Sequence, residues 1–229
     1  MVQYTFTDEF DGPKGSLPDA AKWLWDVGPG PVVGGNNERE DYVKSPENTY
    51  LDGEGHLVIE VTSPEEGVFY SGRLKSNFHQ QYGHWEASIA IKDTPGCWPA
   101  FWFLGTANFG RHPECGEVDL LENYGTGYSD GSVWNTFATY NKHGRSLDKT
   151  DEEFHAYRMD WAENSITLSI DDVEFVSVDR QDLDSWPFDG NELYCLLNIA
   201  VGGNGTGNVL PYREAFPVRM LVDYVHCWE

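Results

Sequence analysis

The chain is poor in positive charge. Across 229 residues, 15 lysines and arginines stand against 38 acidic residues, for a formal net charge of −23. A surface so negative repels phosphate backbones and anionic headgroups, so nucleic acid and membrane surfaces are set aside as partners. Long apolar runs are missing as well, and no stretch is long enough to span a bilayer. Cysteine is scarce. The four residues Cys97, Cys115, Cys195 and Cys227 show no CxxC spacing, which argues against a zinc site and leaves disulfides or buried free thiols. No internal repeat, low-complexity tract or long helical apolar period is present. The Gly/Pro stretch "VGPGPVVGGNNERE" (27–40) lacks the Gly-Lys-Ser/Thr ending of a phosphate loop and reads as a surface loop at the rim of a cleft. The opening "MVQYTFTDEFDG" shows no signal peptide, which leaves a cytoplasmic chain or the mature form of a secreted one.

What is abundant is strand and turn chemistry, with 9 Trp, 12 Tyr, 12 Phe, 24 Gly and 12 Pro. Alternating segments recur at 56–62, 72–78, 84–91, 99–105, 115–122, 132–140, 154–161, 165–171, 173–179, 193–201 and 218–228. Asp171-Asp172 sits where a tight hairpin turn is expected. "DLDSWPF" (182–188) reads as one helical turn. The pattern predicts an all-β fold, a two-sheet antiparallel sandwich, formed as a single domain over residues 1–229.

The stretch "CGEVDLLEN" (115–123) places Glu117, Asp119 and Glu122 in a strand. Alternation with period two sets Glu117 and Asp119 on one face and Glu122 on the other, in an apolar layer where a lone acid is costly. One extra residue, Leu120 or Leu121, resets the parity as a β-bulge and brings all three acids to one face. The outer Cα atoms are then about 13 Å apart. Two Glu side chains leaning together bring their carboxyls to roughly 5–6 Å, close to the separation used in retaining glycosidases. Neighbouring carboxylates resist ionising together, which splits their pKa values and suits one to attack and the other to hold a proton. The plain alternative is a solvated acidic strand face. It leaves the apolar residues between the acids, and the bulge, without a purpose.

These residues resemble the active-site motif of glycoside hydrolase family 16, in its bulged ExDxxE, laminarinase-like form. "FTDEFDG" (6–12), "GGNNERE" (34–40), "YSGRLKS" (70–76), "WPAFWFLG" (98–105), "FHAYRMDW" (154–161), "LNIAVGGN" (197–204) and "VRMLVDYVHCW" (218–228) extend the resemblance along nearly the whole chain. It implies a β-jelly-roll with a concave sugar-binding cleft and retaining endo-hydrolysis of a β-linked polysaccharide, β-1,3-glucan first. A mixed-linkage glucan, a β-galactan, or non-catalytic glucan binding are the alternatives. Glu117 is then the nucleophile, Asp119 its electrostatic helper and Glu122 the general acid/base. Trp98 and Trp102, of one parity, are expected to stack on sugar rings, with Arg73 and Asn37 as further substrate contacts. No cofactor is expected for catalysis. A structural calcium is expected on Glu9, the Gly55 carbonyl and Asp223, where hard oxygen donors suit the ion. An extracellular, monomeric protein follows from the same resemblance.

The chain departs from the family pattern at Gly34 and Gly205, where relatives often carry Trp, so a wider and less aromatic cleft is expected there. A histidine common on the strand after the motif is absent, and Ala138 or Trp134 takes its place. Cys97 and Cys115 flank neighbouring segments and are expected close together, either bridged or as two buried free thiols.

Overall fold

The structure is a computed structural model that describes residues 2–106, 112, 114–136, 139–146 and 151–229, the side chains of 136 and 139–142 excepted. Strands are numbered in chain order. One sheet runs β16 (Val173–Asp179), β15 (Ser165–Ile170), β14 (His155–Ala162), β9 (Gly83–Ile91), β18 (Val218–Trp228), β6 (Leu57–Val61) and β5 (Thr49–Leu51), with β1 (Tyr4–Asp8) also pairing with β18. The second runs β13 (Thr139–Arg145), β12 (Asp130–Thr136), β11 (Glu117–Glu122), β10 (Cys97–Gly105), β17 (Leu193–Val201), β8 (Arg73–Ser76) and β2 (Trp23–Trp25). The pairings within both sheets are antiparallel, and together they make the two-sheet sandwich expected from the alternating pattern, a β-jelly-roll as the resemblance implied. A small third sheet joins β3 (Gly28–Pro29), β4 (Asp41–Tyr42) and β7 (Tyr70–Ser71) beside the second.

The alternation explains the layering. In β9, Trp85, Ala87 and Ile89 are fully buried, and in β10 so are Phe101 and Phe103. Trp85 and Phe103 meet across the sandwich, ring centroids 5.4 Å apart. Burying such a side chain contributes about 2–3 kcal/mol, and the set forms one continuous core between the sheets. Asp171 and Asp172 both take positive φ, 49° and 63°, as the tight turn between β15 and β16 requires.

Three expectations need correction. The segment 132–140 contains parts of two strands, since β12 and β13 pair back on each other with Thr136 opposite Thr139. The helical turn expected at 182–188 forms just upstream, as a 3-10 turn over Arg180–Asp182. The loop 27–40 is not wholly irregular, since it holds a short helix over Gly30–Val33.

The expected closeness of Cys97 and Cys115 is also wrong. Cys97 opens β10 and Cys115 precedes β11, but the strands are antiparallel, with Leu104 opposite Glu117 and Ala100 opposite Glu122. Their N-terminal ends therefore lie at opposite ends of the pair, roughly 25 Å apart at the usual rise. All four cysteines are buried free thiols.

Candidate active site

The bulge is where the acids need it. Across β10, Leu121 faces Phe101 and Asp119 faces Trp102, so Leu120 is the extra residue, and both leucines are fully buried. Glu117, Asp119 and Glu122 then stand opposite Leu104, Trp102 and Ala100, which share one face of β10. On the other side they stand opposite Trp134, Ser132 and Asp130 of β12. The three acids thus form one row on the outer face of the second sheet. They line a cleft of about 340 Å³ together with Trp98, Trp102, Arg73, Asn198, Glu38 and the 32–36 segment.

Each acid has a different environment. Asp119 is 3 % exposed. Its Oδ2 accepts hydrogen bonds from the Ser132 hydroxyl at 2.6 Å and the Trp134 indole N–H at 2.8 Å. Burial, then the charges of Glu122 and Glu117, hold its carboxyl well above the usual range, and it hydrogen-bonds Glu117. Glu122 accepts the Trp98 indole N–H at 3.1 Å. Burial raises its pKa to about 8, with the charges of Glu117 and Asp130 adding and hydrogen bonds from Tyr124 and Trp98 opposing. Glu117 is half-buried and is met by His112 Nε2, whose own pKa is raised by that hydrogen bond. At neutral pH the row therefore keeps a proton on Glu122 and another on Asp119, beside the carboxyl of Glu117. That is one group able to give a proton and one open to attack on carbon.

The flanking residues divide. Trp98 and Trp102 both line the cleft, with Trp102 tied by its indole N–H to Asn198 Oδ1 at 2.8 Å. Arg73 is buried in β8 beneath them, its guanidinium 4.9 Å from the Trp102 ring and its Nε 3.5 Å from Asp26. Asn37 is exposed and donates to Asn204 at 3.0 Å, while its neighbour Asn36 lines the cleft. Trp134 stands opposite Glu117 and donates to Asp119; Ala138 lies outside the described residues.

The open space expected at Gly205 is not there. A Cβ on Gly205 would meet the Trp98 ring at 2.6 Å, so Trp98 fills that place, backed by Tyr124 at a centroid distance of 5.0 Å. A Cβ on Gly34 would run into the Glu38 carboxyl, so that glycine makes room for an acid. Sequence reasoning missed Ser132, Asn198, Tyr42, His112 and Glu38. Ser132 had a signal, since it shares parity with Trp134 on a strand next to the acids.

Glu9 and Asp223 are brought to one junction. β6 leaves β18 at Val222 and β1 takes over at Val225, with Asp223 the extra residue of a second bulge between them. Glu9 follows β1 directly, and Gly55 lies in the turn before β6. Glu9 accepts from Thr7 and bonds His226 Nε2, both at 2.7 Å. Among the described residues, no group of three or more His, Cys, Asp or Glu side chains is placed to hold a metal.

Comparison with known proteins places the chain. The model of the glycosyl hydrolases family 16 matches residues 36–206. The beta-glucanase of Rhodothermus marinus is 32% identical over 249 residues, covering 99% of this chain and 85% of that protein. The solved laminarinase of Rhodothermus marinus superposes with a TM-score of 0.88 at 30% identity, covering 100% of this chain and 98% of that one. The clotting factor G alpha subunit of Tachypleus tridentatus is 31% identical over 99% of this chain, which spans only 34% of that protein. Fold, cleft and matched sequence agree, and the chain belongs to the glycosyl hydrolases family 16.

Proposed function

We propose that the protein hydrolyses a β-linked polysaccharide at internal bonds with retention of configuration, β-1,3-glucan of the laminarin type first. The observation that carries this is the bulged row of three acids in one cleft, with Glu122 pushed up to about 8 by burial. The names of the beta-glucanase and laminarinase relatives support the substrate class. Glu117 attacks the anomeric carbon while Glu122 gives its proton to the departing glycosidic oxygen. The ionised Glu122 then takes a proton from water, whose oxygen attacks the same carbon and releases Glu117. Asp119, neutral and held by Ser132 and Trp134, donates to Glu117 and steadies its charge as it changes. Trp98 and Trp102 present indole faces to sugar rings. Their N–H groups are already committed to Glu122 and Asn198, which fixes the rings in place.

The test is a panel of laminarin, lichenan, curdlan, agarose and β-1,3-galactan scored for new reducing ends and product lengths. Release from laminarin supports the reading. Release from lichenan or galactan alone moves the substrate to mixed-linkage glucan or galactan. Binding without any release from the panel assigns the chain to glucan capture, the role named for the beta-1,3-glucan-binding protein of Penaeus monodon, 28% identical over 57% of this chain. We further propose that residues 1–229 act as one secreted, monomeric catalytic domain. Calcium is proposed at the Glu9–Gly55–Asp223 junction, whose donors are hard oxygens. The ion would have to take Glu9 from His226, so added calcium should raise Tm and a chelator lower it.

A further inference from the structure

A second acid pair lies at the opposite rim of the same cleft, with Glu38 lining it and Glu40 behind. Glu38 and Glu40 are 3 % and 1 % exposed. Glu38 bridges to Gly202, and Glu40 Oε2 accepts the Val201 N–H at 2.6 Å. Both pack under Gly30, where an added Cβ would meet Glu40 Oε1 at 2.6 Å and Glu38 Cβ at 2.9 Å. Two carboxylates sealed together lose hydration and repel, so such a pair keeps a proton. The hydrogen bonds show where it sits. Glu40 Oε1 is fully buried with no donor in hydrogen-bond geometry, and the Tyr42 hydroxyl also bears on the Glu40 carboxyl. An acid proton on Glu38, whose carboxyl bears directly on that of Glu40, would be the donor it lacks.

The polarity of the neighbouring bonds follows. Tyr42 donates its hydroxyl proton to Glu38 Oε2 at 3.1 Å, and Asn198 Nδ2 donates to the Tyr42 oxygen at 3.1 Å. Asn198 Oδ1 then accepts the Trp102 N–H at 2.8 Å. The chain begins on a sealed acid and ends on an indole of the cleft.

We propose that Glu38 and Glu40 share one proton and act as a single positioning unit that holds Trp102 toward the substrate through Tyr42 and Asn198. The proposal rests on reading the cleft as a glucan site. The charged and titratable groups facing the pair are Arg73 from β8, Tyr42 from β4 and Cys97 from β10. Across the cleft stand His112 and Glu117. Arg39 and Asp41 on the same segment are exposed. Burial, then the Glu40 charge, pushes the Cys97 thiol up to about 12, and burial first holds the Tyr42 hydroxyl well above its usual range. Burial, then the Glu40 charge and hydrogen bond, raises Glu38 to about 8 from an ordinary 4.5. A carboxyl raised on folding stabilises the fold fully below its unfolded value and loses that stabilisation as pH climbs to its folded one. Ionising Glu38 sets two buried anions against each other, displaces its carboxyl and unanchors the relay to Trp102.

The test is Glu40→Gln, whose amide supplies a permanent N–H in place of the shared proton. Tm of the variant relative to wild type should rise by on the order of 5 °C between pH 5 and 9. On laminarin, or the glucan the panel selects, wild-type KM should rise several-fold between pH 7 and 9 while that of the variant stays level. Tyr42→Phe should raise KM several-fold at every pH yet keep the wild-type dependence of Tm on pH. Parallel Tm curves for wild type and Glu40→Gln would overturn the shared proton, as would a Glu40→Gln chain that folds at no pH. Diverging Tm curves with unchanged KM would overturn the link to Trp102. If no polysaccharide is cleaved, the hydrolase reading falls, while the Tm comparison still decides on the pair.

Discussion

The two acid groups beside the cleft are built by opposite rules. Glu117, Asp119 and Glu122 stand on a strand, spaced by a bulge, with Glu117 and Glu122 only half-buried. Their neighbours supply single, directional donors, from Trp98 to Glu122 and from Ser132 and Trp134 to Asp119. Glu38 and Glu40 come from a loop, are almost wholly buried, and press their carboxyls on one another. Both groups keep protons at neutral pH for the same first reason, burial, but only one leaves its acids within reach of a ligand. A raised carboxyl alone does not identify a reactive group. Access to the cleft, and a neighbour of different proton affinity, separate a working acid from a structural one.

The sharpest break between the groups is amide substitution. Glu117→Gln or Glu122→Gln should lower turnover by more than about 10³-fold with circular dichroism unchanged, because nucleophile or proton donor is lost. Glu40→Gln should leave most of the turnover at pH 6, and a loss matching the Glu122 variant would erase the distinction. Asp119→Asn should fall between them, about 10–100-fold down in kcat. Its amide keeps the size of the side chain and can accept from Ser132 and Trp134 through Oδ1 while donating to Glu117 through Nδ2, but it holds no titratable proton to follow the change of charge on Glu117.

The pH profile sharpens the same comparison. Glu122 must hold its proton to act as acid, so kcat at saturating substrate should fall as pH rises through about 8. The residual activity of Glu122→Gln should lack that limb, while Glu40→Gln should keep it. Trp102→Ala is expected to raise KM about fivefold, the order of one aromatic contact, with a smaller loss in kcat. The smallest effect on kcat is expected for Gly34→Ala, with KM raised as in Tyr42→Phe. Its methyl would displace the Glu38 carboxyl and cost about 1–2 kcal/mol of stability by overpacking, measurable by denaturant unfolding.

The sequence made the fold and the acid row legible because both rest on period-two alternation, which a strand imposes on every residue. Even the bulge was readable, since an acid at the wrong parity demands one, and Leu120 is the residue inserted. What escaped was set by partners far along the chain. Nothing in "NNERED" separates Glu38 and Glu40 from the exposed Arg39 and Asp41, since burial there comes from Val201, Gly202 and Tyr42. Gly34 and Gly205 looked like missing side chains. They are clearances for Glu38 and Trp98, which only the packed structure can show. The Cys97–Cys115 expectation failed on direction, because adjacency in a sheet was read without asking which way each strand runs.

The four buried thiols give the fold a built-in clock. Burial first pushes Cys97, Cys195 and Cys227 up to about 12 each, and raises Cys115 as well. The thiolate is the reactive form, so an alkylating reagent finds almost nothing to attack in the closed sandwich. Each sulfur becomes reactive only when its own strand opens. Cys195 and Cys227 lie in β17 and β18, one in each large sheet, while Cys97 opens β10 beside the cleft. Mass-resolved labelling over time would therefore report separately how often the cleft edge frays and how often the two sheets part.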